Sequence, residues 1–301
     1  MIIIVIKTLH LYVKTKENQA VGRQYELTIL CDNQANEGYQ SEHGFSALIC
    51  SPDLKILFDT GSGKTLLKNA NTAGVSLGQI DYLVLSHGHS DHTGGIPEVL
   101  KKNEHLMIAA HPQCLVARYS RHSDKPIASI GMPANVAAEL QRYPSLQQKY
   151  HTSPLFLDEH IGVTGEIPRI HAWEDTGGPF YLDEHGKYSD NIPDDQAMWL
   201  STWAGLVIIL GCCHSGLENT IHYVQTVSGE TRVAGIIGGM HMLNGSSARI
   251  KKTVEFLKRI SPDFIYAGHC TNDQVTSFLK SQLKNVQVDA LSAGKKIYFK
   301  E

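Results

Sequence analysis

Apolar residues in this chain arrive in short, dense runs separated by polar and glycine-rich turns. Runs rich in Val, Ile, Leu and Phe predict strands at residues 2–6, 25–31, 45–50, 55–58, 82–85, 106–110, 199–203, 206–210, 233–237, 264–267 and 297–299. Helices are predicted between them over residues 63–73, 96–103, 217–227, 248–260 and 273–283. Ile250, Val254 and Leu257, and then Val275, Phe278, Leu279 and Leu283, recur near three- and four-residue spacing and so line one helix face. Pro97 suits the first turn of its helix, where a missing N–H costs nothing. A meander of strands followed by strand–helix alternation, twice over, predicts sheets sandwiched between helices.

The run at residues 82–85 empties into His87, His89, Asp91 and His92. His87 and His89 lie two apart, so both face the same way in an extended chain. As ordinary core groups, so many polar side chains would each need a partner. Neutral imidazoles with a carboxylate instead suit a borderline divalent metal, zinc first, with iron or manganese as alternatives. Two adjacent ligand pairs predict two ions.

His87-Gly88-His89-Ser90-Asp91-His92 resembles the H-x-H-x-D-H signature of the metallo-β-lactamase superfamily. LFDTG at 57–61, GCCHSG at 211–216 and GHCT at 268–271 strengthen the match. Together with Glu42-His43-Gly44-Phe45-Ser46, GEIPR at 165–169 and GGMH at 238–241, the set is similar to a branch of dihydropterin ribofuranosylaminobenzene phosphate synthases and metal-dependent hydrolases. The resemblance runs from about residue 25 to the end. It implies an α+β fold, a four-layer αββα sandwich.

The remaining candidates repeat one grammar, an apolar strand followed by glycine and histidine. His214 is expected as the third ligand beside His87 and His89, although it could simply open the helix that follows. Gly211 and Gly216 bracket it and permit close backbone approach to a ligand. His269 is expected to complete a second set with Asp91 and His92. In many members of the resembled superfamily a carboxylate bridges the ions; no aspartate stands at an obvious bridging position here, and the Cys212 thiolate is the candidate substitute. His241 is a ligand, a substrate contact or a proton donor. Asp59 is expected to accept a ring N–H from a ligating histidine, or to cap its turn together with Thr60. His43 is expected to face the substrate. Asp91 and His241 are the catalytic candidates.

Residues 112–200 break the apolar pattern and hold eight of the eleven prolines. The chain reads as one catalytic domain, 1–301, with this loop-rich insertion lining or covering the site; a plain surface insertion is the alternative. A net charge of −3 gives no basic footprint for nucleic acid. The hydrophobic fraction of 42% and charged fraction of 19% fit a soluble globular protein. The apolar stretch at 2–6 is too short for a signal peptide or a membrane span, so no membrane partner is expected. Six cysteines without a secretory signal favour a reducing cytoplasm. His10, His105 and His122 read as surface residues.

Three functions follow. The first is a hydrolase with two divalent ions, acting on a small molecule. Arg118, Arg121, Lys125 and Arg169 in the insertion tilt that substrate toward a phosphate ester or phosphodiester. The second, implied by the branch, is a synthase-like transferase that releases diphosphate. The third is a metal-binding ligand sensor without turnover, which the intact motif with Asp91 disfavours.

Overall fold

The computed structural model describes residues 24–121, 125–242 and 245–300. The expected strand at 2–6, together with His10 and His122, lies outside the described residues. His105 is exposed, as expected. One seven-stranded sheet runs in the order Lys296–Lys300, Gln24–Cys31, Ser46–Cys50, Lys55–Phe58, Tyr82–Val84, Met107–Ala110 and Gln148–Tyr150. A second seven-stranded sheet runs Gln287–Ala290, Phe264–Ala267, Val233–Gly238, Gly205–Leu210, Met198–Thr202, Ile161–Val163 and Leu155–Phe156.

Side-chain alternation explains how the layers stack. Along Gly205–Leu210, Val207 and Ile209 join Ile29, Ile49, Phe58 and Val84 of the first sheet in one buried cluster, which is the seam between the sheets. Leu206, Ile208 and Leu210 face the other way and pack against Leu217, Ile221 and Leu257 of the helices Leu217–Ser228 and Ser247–Ile260. A strand covered on both faces needs apolar residues at every position, which is why this run is continuous. The outer face of the first sheet, Leu57, Leu83 and Ile108, packs in the same way against Leu66, Ile96 and Leu140. The result is the four-layer αββα sandwich.

Residues 112–200 are less loop-like than their composition predicts. They contain the helix Ala134–Arg142, give short strands to both large sheets, and build a three-stranded sheet from Phe180–Tyr181, Tyr119–Ser120 and Ala128–Ser129. These strands are two to five residues long, too short to show a period in sequence. No helix among the described residues is long and apolar enough to cross a membrane.

Lys55–Phe58 and Tyr82–Val84 run parallel, as do Gly205–Leu210, Val233–Gly238 and Phe264–Ala267. Their carboxyl ends carry Asp59, His87, Cys212, His241 and His269 in turn. Parallel strands deliver their following loops to one edge, where polar residues from distant sequence can meet.

Candidate metal centre

The loop after Tyr82–Val84 turns at Gly88 and enters the short helix Ser90–Thr93. His87 and His89 therefore precede the helix, and Asp91 and His92 lie within it. His87 Nε2 and His89 Nδ1 are 2.9 Å apart. The His214 ring lies 4.8 Å from that of His87 and 5.0 Å from that of His89. On the other side, His92 Nε2 and His269 Nε2 are 3.1 Å apart, and Asp91 Oδ2 is 3.3 Å from His269 Nε2. The His87 and His92 rings are 4.2 Å apart, so the two groups adjoin. Cys212 Sγ stands 3.3 Å from His92 Nε2 and shares donor clusters with both groups. Residues separated by up to 182 positions in sequence thus converge on one cage, and nearly all of them are buried.

Each ring is aimed by a partner behind it. Asp59 Oδ2 accepts the Nδ1–H of His92 at 2.7 Å and the Ser86 hydroxyl at 2.6 Å, while its Oδ1 accepts the Ser86 N–H at 2.7 Å. Ser86 Oγ lies 2.9 Å from His87 Nδ1 and is placed to accept its proton. Asp59 thus steers His92 directly and His87 through Ser86. A side chain at Gly211 would collide with this relay, its Cβ falling 2.1 Å from Ser86 Oγ. His269 Nδ1 lies 3.2 Å from Asn33 Oδ1, and the His269 N–H is held by Asp32 Oδ2 at 2.8 Å. His214 Nδ1 donates to the Thr176 carbonyl at 2.8 Å, which leaves a buried Nε2 with no protein partner.

That unpartnered nitrogen decides how well the residues fit metal ions. A buried lone pair beside those of His87 and His89 is costly unless a cation receives it. Burial pushes the pKa values of His87 and His214 well down and that of His89 to about 3, so these rings are neutral at pH 7, the form a cation needs. Burial also disfavours charge on His92, but Asp91 and Asp59 outweigh it and hold His92 up to about 9. Burial opposes ionisation of Asp91 as well, yet His92 and His269 keep its carboxyl well below the usual range. The Cys212 thiol is pushed far up by burial and by neighbouring Cys270; a coordinated cation is what would ionise it. The donor set of imidazole, carboxylate and thiol fits borderline divalent ions.

His43 is largely exposed, with Nε2 3.2 Å from Asp91 Oδ2 and its ring stacked at 5.3 Å on His269. The His241 ring lies 4.5 Å from that of His214, and burial followed by the charge of Arg249 pushes its pKa down to about 4. A cavity of about 290 Å³ opens over the cage and is walled in part by Ser120, Ile130, Gly177, Gly178 and Phe180.

Sequence reading missed Ser86, Asn33 and Thr176, and gave Cys270, within the GHCT motif, no role of its own. Cys270 Sγ accepts the His241 N–H at 3.2 Å and shares a donor cluster with Cys212 and His269. Ser86 adjoins the motif and was findable; Thr176 acts through its backbone, which no residue type announces.

The expected phosphate-binding cluster is corrected. Arg118 is fully buried, ion-paired to Asp190 at 2.7 Å and to Asp194 at 2.6 Å, and Asp194 holds the Gly88 N–H at 2.8 Å. It braces the His87–His89 turn from behind. Arg121 packs over Tyr181 and donates to the His185 carbonyl, and Arg169 donates to the Asn191 carbonyl. None of these three, nor exposed Lys125, lines the cavity.

Residues 42–125 match the family model of the metallo-beta-lactamase superfamily. An uncharacterised protein of Methanocaldococcus jannaschii is 32% identical over 263 residues, covering 86% of this chain and 95% of that protein. The chain belongs to the metallo-β-lactamase superfamily. Another relative, from the same organism, is named 7,8-dihydropterin-6-methyl-4-(beta-D-ribofuranosyl)-aminobenzene-5'-phosphate synthase; it is 29% identical over 274 residues, covering 88% of this chain and 92% of that protein. The crystal structure of Tm1679, described as a metal-dependent hydrolase of the beta-lactamase superfamily, superposes with a TM-score of 0.75 at 26% identity, covering 91% of this chain and 98% of the other. Membership in the metallo-β-lactamase superfamily accounts for both the sandwich and the placement of the motifs together at the ends of strands from its two sheets.

Proposed function

We propose that the protein is a metal-dependent hydrolase using two divalent ions, zinc first among them, to cleave an ester-type bond in a small molecule. The observation that carries this is the buried, unpartnered His214 Nε2 facing a cage of aimed donors. His87, His89 and His214 would hold one ion, and Asp91, His92 and His269 the other. Cys212 would reach both, where other members of the superfamily use a carboxylate. Such a pair of ions, when bound, lowers the pKa of water toward ~7 and stabilises charge on the reacting group. Asp91, at the cavity wall, orients the attacking water through its carboxylate. His241 is a neutral hydrogen-bonding contact for the reacting group. Exposed His43, touching Asp91, is placed to pass a proton to the leaving group. The loop-rich segment walls the substrate space through Phe180 and Ile130. Six free thiols favour a reducing compartment such as the cytoplasm.

With the arginines engaged elsewhere, a phosphate group on the substrate would depend on the ions for charge neutralisation. The named synthase relative supports a second reading, a transferase that releases diphosphate. Metal analysis of the purified protein, with assays on a phosphodiester and a carboxylic ester, tests the first reading. Two ions per chain and hydrolysis of either ester are expected; full activity in metal-free protein overturns it. Diphosphate release from a pterin diphosphate and an aminobenzene acceptor, without ester hydrolysis, replaces it with the second.

A further inference from the structure

The strap from Glu174 to Gly177 connects the loop-rich segment to the cage. Asp175 Oδ1 accepts Arg249 Nη1 at 2.6 Å and the Gly177 N–H at 2.8 Å. These two bonds bracket Thr176 and set the carbonyl that receives His214 Nδ1–H. On the other flank, Glu174 accepts the N–H groups of Glu218 and Asn219 at 2.9 and 2.8 Å, which fastens the strap to the helix following His214. Gly177 has a φ of +86°, and a Cβ there would fall 2.1 Å from His241 Nδ1, so the strap already sits as close to the cage as a backbone can. Arg249 reaches this point from the helix Ser247–Ile260, with a side chain only 4% exposed, whereas Asp175 is 66% exposed. Solvent screens the attraction on the Asp175 side, so the bond matters for geometry more than for stability.

We propose that Arg249 is a positioning residue for the His87, His89 and His214 half of the centre. It acts through Asp175 and the Thr176 carbonyl to fix the tautomer and direction of His214. The inference rests on the two-ion reading. It places control of one ion in a residue that touches neither ion nor substrate, and it makes the loop-rich segment part of the metal-holding apparatus.

The test uses the full chain, stripped with a chelator and titrated with Zn²⁺ against a chromophoric competitor. Wild type, Arg249→Met, Arg249→Lys and Asp175→Ala are compared, each also in a His269→Ala background where the half with His214 dominates binding. Arg249→Met and Asp175→Ala are expected to weaken one of the two ions about 10-fold, in both backgrounds, as loss of an outer partner does. Arg249→Lys is expected to recover most of that affinity. Asp175→Ala, at an exposed position, decides the matter if Arg249→Met does not fold. Wild-type zinc affinity in Asp175→Ala, or a loss absent from the His269→Ala background, overturns the inference while leaving two-ion binding intact. A wild type that takes up fewer than two ions overturns the two-ion reading and this inference with it.

Discussion

The two halves of the cage use the same ring chemistry, yet one ring, His92, is tuned against all the others, including its own neighbour His269. Burial alone would strip the proton from every one of these histidines. In the half with His92, Asp91 within and Asp59 behind overcome burial and hold His92 up to about 9. In the half with His214, the supports are a hydroxyl from Ser86 and a carbonyl from Thr176, both neutral, and burial wins. Rings 4.2 Å apart therefore differ because carboxylates lie directly against one of them and not the other. The supports also differ in origin: Asp59 and Asn33 follow strands of the first sheet, whereas Thr176 belongs to the loop-rich segment. His92 is backed by a carboxylate anchored in the sandwich; in the other half, His87 is held from the sandwich through Ser86 and His214 from outside it through Thr176.

The sharpest break comes from removing the charge inside the half with His92. Asp91→Ala is expected to lower turnover by about 10³-fold or more, since under the proposed function it deletes a ligand and the water-orienting carboxylate together. Circular dichroism should show the fold retained, because Asp91 is only partly buried. An unchanged rate would remove Asp91 from the mechanism and erase the contrast between the halves.

Stripping both ions should come next. At an ion concentration of about 1,000 times Kd, each ion adds about 4 kcal/mol to stability and the two together about 8 kcal/mol, which for a chain of this length is about 13 °C in Tm. Differential scanning calorimetry with and without chelator checks this, and coincident melts would mean that the cage does not bind ions. Asp59→Asn is narrower. Two carboxylate oxygens there accept three protein hydrogens. An amide supplies one oxygen and turns its NH₂ toward another donor. Affinity for the ion beside His92 is expected to fall 10- to 100-fold, more than for the ion beside His214. Equal losses would show that the Ser86 relay ties the halves into one unit.

Much of this architecture is legible in the residues alone. Strands such as Gly205–Leu210 announce themselves because both faces are covered. The candidate ligands His87 and His269 announce themselves because each follows such a run beside a glycine. Supports are harder. Asp59 is readable as a carboxylate ending a strand, but Asn33 reaches His269 across 236 positions. Arg118 shows the opposite failure. Its charge is plain in sequence, while its partners Asp190 and Asp194 lie 72 and 76 residues away, so a buried brace reads as a free cation. The two-residue strands of the segment 112–200 fall below the length at which alternation exists.

The mildest perturbation asks what the loop-rich segment contributes beyond Thr176. Phe180 packs its ring 5.5 Å from His89 and 5.1 Å from His214, and it lines the cavity. Truncating it leaves the His214–Thr176 bond in place and removes an apolar wall from the substrate space. A fully buried phenylalanine side chain is worth about 1.5–3 kcal/mol, and packing of substrate along one wall about 1 kcal/mol of that. Phe180→Ala is therefore expected to raise KM about 5-fold with kcat nearly unchanged. Steady-state kinetics separate the outcomes, because an interaction that holds ground and transition states equally moves KM alone when it is removed. A fall in kcat with KM constant would instead mean that Phe180 holds the His89 and His214 rings in place. The segment would then act on the half with His214 through packing as well as through its backbone carbonyl.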